Sequence, residues 1–168
     1  MISIPIELCR PDAKLPSYAH DGDAGMDLYA AEEVLIEPGK SAIIPTGLKM
    51  AIPYGYEVQI RPRSGLSAKT TLRVANAPGT IDCGYRDEVG VILYNCSERT
   101  VYPEGGYIPE PLTLDVKGCP HGTYKVRKGD RVAQMVIAKV EYGSLSKVES
   151  VKDIGEDRGG GFGSTGVT

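Results

Sequence analysis

Apolar side chains fall on every second residue in several short stretches of this chain, the period of a half-buried strand. Tyr56-Glu57-Val58-Gln59-Ile60-Arg61 places Tyr56, Val58 and Ile60 on one face, and Glu88 to Tyr94 does the same with Val89, Val91 and Leu93. The run Val132-Ala133-Gln134-Met135-Val136-Ile137-Ala138 is nearly continuous in apolar residues, which predicts a strand buried on both faces. Turn signals separate these pieces: Pro38-Gly39-Lys40, Pro45-Thr46-Gly47, Pro53-Tyr54-Gly55, Pro78-Gly79 and Lys128-Gly129-Asp130. The best helical candidate is short, Ser64 to Thr70. Many short strands with little helix predict an all-β sandwich or barrel of jelly-roll type.

Two segments fall outside this pattern. Cys96 to Arg127 is long, rich in Pro and Gly, and only weakly strand-like, while the tail from Asp153 is Gly-rich and polar. The division expected is a β domain over 1–152, with an inserted segment at about 96–128, and a flexible C-terminal arm over 153–168.

Composition narrows the class. With 168 residues the chain suffices for one domain with a proper core, and 41% hydrophobic with 24% charged residues is an ordinary globular mixture. A formal charge of -3 argues against wrapping nucleic acid through a basic face, but leaves room for a small anion held by local donors and a metal. No stretch reaches the roughly 20 apolar residues that cross a bilayer, and the first residues lack the pattern of a signal peptide. The four cysteines, Cys9, Cys83, Cys96 and Cys119, form no C-x-x-C pair, so free thiols in a reducing cytoplasm are expected.

Five segments carry candidate chemistry. In Arg158-Gly159-Gly160-Gly161-Phe162-Gly163-Ser164-Thr165-Gly166 the chain's single phenylalanine is flanked by glycines, as if delivered on a strap to something planar; a frayed terminus is the plain alternative. Gly79-Thr80-Ile81-Asp82-Cys83-Gly84-Tyr85 suggests a tight hairpin that carries a carboxylate and an aromatic. Asp82 could accept a proton from water, or simply bond its own turn. Arg63-Ser64-Gly65-Leu66-Ser67 opens the helical candidate, where free amides suit phosphate and where Ser64 could equally be an ordinary N-cap. Ala24-Gly25-Met26-Asp27-Leu28 sets one carboxylate in an apolar frame, enough for Mg²⁺, which takes few protein ligands. Gly129-Asp130-Arg131-Val132-Ala133-Gln134 leads into the buried strand, and read blandly is a turn, an ion pair and one buried amide.

Taken in order, these segments resemble the five motifs of the trimeric dUTP diphosphatases (dUTPases). Ala24 to Ala30 is similar to the first, Pro62 to Ser67 to the second, Asn76 to Val89 to the third, Gly129 to Val136 to the fourth and Arg158 to Gly166 to the fifth. The resemblance implies a distorted jelly-roll of the β-clip kind and a homotrimer with shared active sites. It further implies hydrolysis of dUTP to dUMP and pyrophosphate with Mg²⁺. The third-motif segment, with Asn76, Gly79, Thr80 and Ile81, would hold uracil through its backbone. Tyr85 would lie under the deoxyribose, and Asp82 would contact the 3′-hydroxyl and orient the attacking water. Arg63, Ser64, Gly65 and Gln134 would line the phosphates, with Asp27 supporting Mg²⁺ through water. Phe162 would close over uracil, with Arg158, Gly163 and Ser164 on the phosphates.

Three features depart from the family's usual pattern. Three residues rather than four separate Arg158 from Phe162, and Asp87 stands where glycine commonly follows Tyr-Arg. The stretch 96–128 replaces a short connection; it is read first as a structural extension, then as a partner-binding arm or trimer contact, and last as a metal site through Cys119 and His121. Two rival functions are a dCTP deaminase, related in fold, and a binding protein that uses the insertion around a relict site. Intact Asp82, Tyr85, Arg63 and Gln134 favour a working enzyme.

Overall fold

The structure, a computed structural model, describes residues 2–99, 109–157 and 159. Its elements in chain order are β1 (Ile6–Leu8), β2 (Ser17–Tyr18), β3 (Gly25–Tyr29), β4 (Val34–Ile36), β5 (Ser41–Pro45), β6 (Leu48–Met50), β7 (Tyr56–Arg61), α1 (Ser64–Lys69), β8 (Leu72–Val74), β9 (Gly79–Ile81), β10 (Gly90–Asn95), β11 (Tyr124–Val126) and β12 (Arg131–Lys139). The fold is all-β, and its one described helix spans six residues.

Four sheets enclose the core. The largest has the order β2-β3-β12-β7-β9, a second runs β5-β10-β8, and β11-β4 and β1-β6 are two-stranded. Every named strand pair is antiparallel. Alternation decides which side chains turn inward: Val58 and Ile60 of β7, and Val91 and Leu93 of β10, are buried, as their spacing predicts. They meet Leu28, Ile44, Leu72, Tyr124 and Met135 in one cluster. Burying each large aliphatic there contributes on the order of 1.5–3 kcal/mol.

The strand predicted to be buried on both faces is so only in its first half. Val132 and Ala133 are fully covered, whereas Val136, Ile137 and Ala138 are half-buried. A register shift between Arg131 and Ala133 on the β3 side explains two successive buried residues, since a bulge interrupts alternation. Among the turn signals, Gly47 and Gly129 show why glycine is needed: both have positive φ, +72° and +86°. Asp87, in contrast, is not among the described non-glycine residues of positive φ, which are Asp12 and Cys119.

Part of the stretch 96–128 is built into the fold. Tyr124 and Val126, inside the stretch expected to be inserted, are fully buried on β11, which pairs with β4. Before them, Leu112, Leu114 and Val116 pack against the core cluster. Buried Asn95 stitches this segment down: its Nδ2 donates to the carbonyls of Ile36 and Gly122 at 2.8 Å each, and its Oδ1 accepts from Thr71 Oγ1 at 2.8 Å and Ser97 N at 2.9 Å. The Tyr124 hydroxyl donates to Pro120 O at 2.6 Å, and burial pushes that phenol's pKa up. His121 Nδ1 accepts from the Glu98 amide at 3.1 Å, and among the described residues no group of three or more His, Cys, Asp or Glu is placed to hold a metal.

The last described strand ends at Lys139, and residues 141–157 are exposed. Among the described residues no helix is long and apolar enough to cross a membrane. All four cysteines are free thiols.

Candidate active site

Three adjacent strands bring the first group of candidate residues together. On β12, Gln134 faces Asp27 of β3 on one side and Arg61 of β7 on the other. The chain leaves β7 through Pro62 and Arg63 and turns at once into α1, so Arg63 arrives beside Asp27. Its Nε donates to Asp27 Oδ1 at 2.7 Å, while Arg131 Nη1 donates to Asp27 Oδ2 at 3.2 Å. The Asp27 side chain is only 14% exposed, and a charge at that depth is stable because both its oxygens are held by guanidinium groups.

Gln134 is fixed just as firmly. Its Nε2 donates to Pro62 O at 2.9 Å, and its amide lies over Gly25, where an added Cβ would come within 2.2 Å of Oε1. Arg63 occupies the N-cap of α1 and makes no side-chain capping bond, so Ser64 is the first helical residue rather than the cap. The first amides of the helix therefore have no capping acceptor. Asp27, Arg63, Ser64, Gly65, Arg131 and Gln134 line one cavity of about 310 Å³. A second cavity of about 310 Å³ shares Arg63, Gly65 and Arg131 and adds Lys69, Leu114, Asp115, Arg127 and Asp130. The segment before β11 thus reaches the rim of the site through Leu114 and Asp115. Arg127 is paired with Asp130 at 3.2 Å and Asp115 at 3.7 Å, and the hydrogen bond to Asp130 raises its pKa further above the ordinary range.

The second group of candidates lies elsewhere. β9 carries Gly79, Thr80 and Ile81 on the outer edge of β7. Asn76 backs it, with Nδ2 3.0 Å from the position of a Cβ on Gly79. The predicted hairpin is instead a turn between sheets: Tyr85 N donates to Asp82 O at 3.0 Å, but β9 pairs with β7 while β10 pairs with β5 and β8. Counting three strand spacings across and four residues along from the Asp27–Gln134–Arg61 row, Asp82 is roughly 20 Å from Asp27. Neither Asp82 nor Tyr85 lines the two cavities above.

The family model for dUTPase matches residues 11–107. A deoxyuridine 5′-triphosphate nucleotidohydrolase of Alkaliphilus metalliredigens is 46% identical over 167 residues, covering 99% of each chain. The chain belongs to the dUTPase family. Among solved structures, the dUTPase of Staphylococcus bacteriophage 80alpha with dUpNHpp is 31% identical, with a TM-score of 0.83, and the match covers 99% of this chain and 100% of that one. A mutant dUTPase from phage phi11 of S. aureus, described with a coordinated structural Mg(II) ion, is 32% identical with a TM-score of 0.74 over 89% of this chain and 98% of that one.

The candidate residues of this dUTPase fall into two groups, which approach each other where Gln134, Arg61, Ala77 and Pro78 line a third cavity of about 380 Å³. Asp27, Arg63, Ser64, Gly65 and Gln134 meet in one cavity, and Asn76, Gly79, Thr80, Ile81, Asp82 and Tyr85 lie together on and beyond β9. Arg158, Phe162, Gly163 and Ser164 lie outside the described residues. Five lining residues were not among the candidates named from the sequence: Ala19, Asp23, Ala24, Gly25 and Arg131. Arg131 sits three residues from Gln134, opposite in phase for a regular strand, and the bulge that brings both to the cavity leaves no mark in the alternation. Gly25 does have a signal: a glycine two residues before a charged strand residue often marks a close approach, here by Gln134.

Proposed function

We propose that this dUTPase hydrolyses dUTP to dUMP and pyrophosphate, limiting uracil incorporation into DNA and supplying dUMP for dTMP synthesis. The observation that carries the reading is the cavity in which Arg63, Arg131, Gln134 and the start of α1 converge, an arrangement suited to a chain of phosphates. In-line attack on a triphosphate needs positioning and charge neutralisation more than a strong nucleophile. Asp82 takes the proton side of that reaction, orienting the water that attacks the α-phosphorus, while Tyr85 floors the deoxyribose and the β9 backbone reads uracil.

The separation of about 20 Å between Asp82 and Asp27 supports a site completed by other copies, since one subunit sets the proposed water-orienting carboxylate far from its phosphate cavity. A homotrimer with three shared sites, each closed by an arm bearing Phe162, satisfies this. Mg²⁺ supplies charge withdrawal across the phosphates when bound. Asp27 fits that ion through water rather than directly. Both its oxygens already accept from arginine, yet a carboxylate has lone pairs to spare. The phi11 neighbour's Mg(II) is in keeping with this. The insertion, through Asp115 at the cavity rim, remains a candidate contact for a protein partner.

Pyrophosphate release from dUTP, dCTP and dTTP, with and without Mg²⁺, tests the reading. Selective, Mg²⁺-stimulated turnover of dUTP is the expected result. Ammonia released from dCTP would point to a deaminase, and no turnover of any nucleotide to a binding protein.

A further inference from the structure

Tyr85 sits in a stretch without a strand partner. β9 ends at Ile81 in the five-stranded sheet and β10 begins at Gly90 in the three-stranded one, so residues 82–88 cross between sheets with no ladder of their own. The turn bond from Tyr85 N to Asp82 O, and the bonds from Arg86 Nη1 to the carbonyls of Cys83 at 2.6 Å and Tyr85 at 2.8 Å, are internal to the stretch. They stiffen it without fixing it to the body of the fold.

What fixes it comes through Glu88. The Tyr85 hydroxyl donates to Glu88 O at 2.9 Å. The Glu88 carboxylate reaches back into the fold, where its Oε1 accepts from Gly47 N at 2.8 Å and from Arg10 Nε at 2.6 Å. Arg10 is itself held, its Nη1 donating to Glu32 Oε2 at 2.9 Å. The next residue is pinned too, with Val89 N donating to Leu48 O at 2.8 Å and Val89 O accepting from Thr46 Oγ1 at 2.6 Å. Space around the Gly47 amide is closed, for a Cβ there would stand 2.5 Å from that of Ala13 and 3.2 Å from that of Arg10. The Glu88 carboxylate is therefore locked between the β5–β6 turn and Arg10, and the carbonyl that anchors the tyrosine ring is held from both sides, by this lock and by the Val89 bond to Leu48 in the same planar peptide. The ring itself is free on its other side, Tyr85 being 38% exposed.

We propose that Arg10 and Glu88 are positioning residues for Tyr85, and that through it they set how strongly this enzyme rejects a nucleotide carrying a 2′-hydroxyl. The inference rests on the reading of Tyr85 as the floor under the sugar. The physical reason is stiffness. A wall excludes one extra oxygen only if it cannot retreat, and a pocket that yields discriminates weakly. Removing the Arg10–Glu88 tie leaves the Glu88 carbonyl held from one side only and lets the ring withdraw, which admits the ribonucleotide more than it harms the deoxyribonucleotide.

The test compares kcat/KM for dUTP and for UTP in the full-length enzyme and in Glu88→Ala, Arg10→Ala, the double variant, Glu88→Gln, Arg10→Lys and Tyr85→Leu. The dUTP-to-UTP ratio is expected to fall about tenfold in each alanine variant, mainly by a gain with UTP, and no further in the double variant because the pair acts as a unit. Glu88→Gln and Arg10→Lys keep part of the contact and should fall between; they also carry the test if an alanine variant does not fold. Equal losses with both nucleotides in the Arg10 and Glu88 variants, alongside a collapsed ratio in Tyr85→Leu, would overturn the positioning role alone. An unchanged ratio in Tyr85→Leu would remove the tyrosine from sugar recognition, and the inference with it.

Discussion

The cavity around Asp27 and the loop around Asp82 are built by different means. In the cavity, functional side chains stand on two neighbouring strands and on the turn that leaves a third for α1, and are braced by ion pairs and by an amide packed on glycine. In the loop, they stand on a crossing segment whose position depends on a carboxylate reaching back to Arg10 and Gly47. On the proposed reading the cavity holds the same charged groups in place for every nucleoside triphosphate, while the loop tells nearly identical sugars and bases apart. Neighbouring strands brace the first, and a long-range tie stiffens the second.

The sharpest way to separate the two regions is at Asp82. Asp82→Asn keeps the shape of the loop and removes the proton acceptor, so kcat should drop about 10³-fold with little change in nucleotide affinity. Rapid-quench turnover alongside equilibrium binding checks this, and near-normal rates would remove Asp82 from the mechanism. On the cavity side, Gly25→Ala should push the Gln134 amide off Pro62 O, since the clash falls on the free end of a side chain rather than on backbone. The expected outcome is a rise in KM for dUTP of about tenfold with a melting temperature lower by a few degrees, as for loss of a single neutral hydrogen bond of about 1.5 kcal/mol.

The smallest effect concerns acid. The hydrogen bond from Arg10 depresses the Glu88 pKa, with the Gly47 amide and Lys49 acting in the same direction and desolvation against them. A carboxyl whose folded pKa lies below its unfolded value stabilises fully above the ordinary carboxylate range, and that stability is lost as pH falls through the depressed value. Wild-type protein should therefore lose, as pH falls below the ordinary carboxylate range, the charge-assisted part of a tie that Glu88→Gln lacks at every pH. Melting curves of the two should converge on acidification, and parallel curves would mean that Glu88 carries no linkage.

Much of this was legible beforehand, and the misses have causes. β7 and β10 follow from alternation because each has one buried face. Ordered motifs pointed to Asp27, Arg63 and Gln134, which the structure gathers into one cavity. Arg131 was hidden by a bulge, since period-two reasoning assigns it to the wrong face. The insertion looked loop-like because Gly118, Pro120 and Gly122 surround it, although Tyr124 and Val126 are core residues; three residues are too few to show a period. The Arg10–Glu88 contact joins positions 78 apart, and no local pattern announces such a pair.

The distance between Asp82 and Asp27 has a genetic corollary. If a working centre borrows one end from each of two chains, a chain crippled at Asp82 and another crippled at Arg63 are not equally dead when mixed. Hybrid assemblies would contain some centres built entirely from undamaged halves, and two inactive proteins would recover activity on co-assembly. By the same logic, a chain defective at only one end would poison a fraction of the centres in a cell that also makes the intact form.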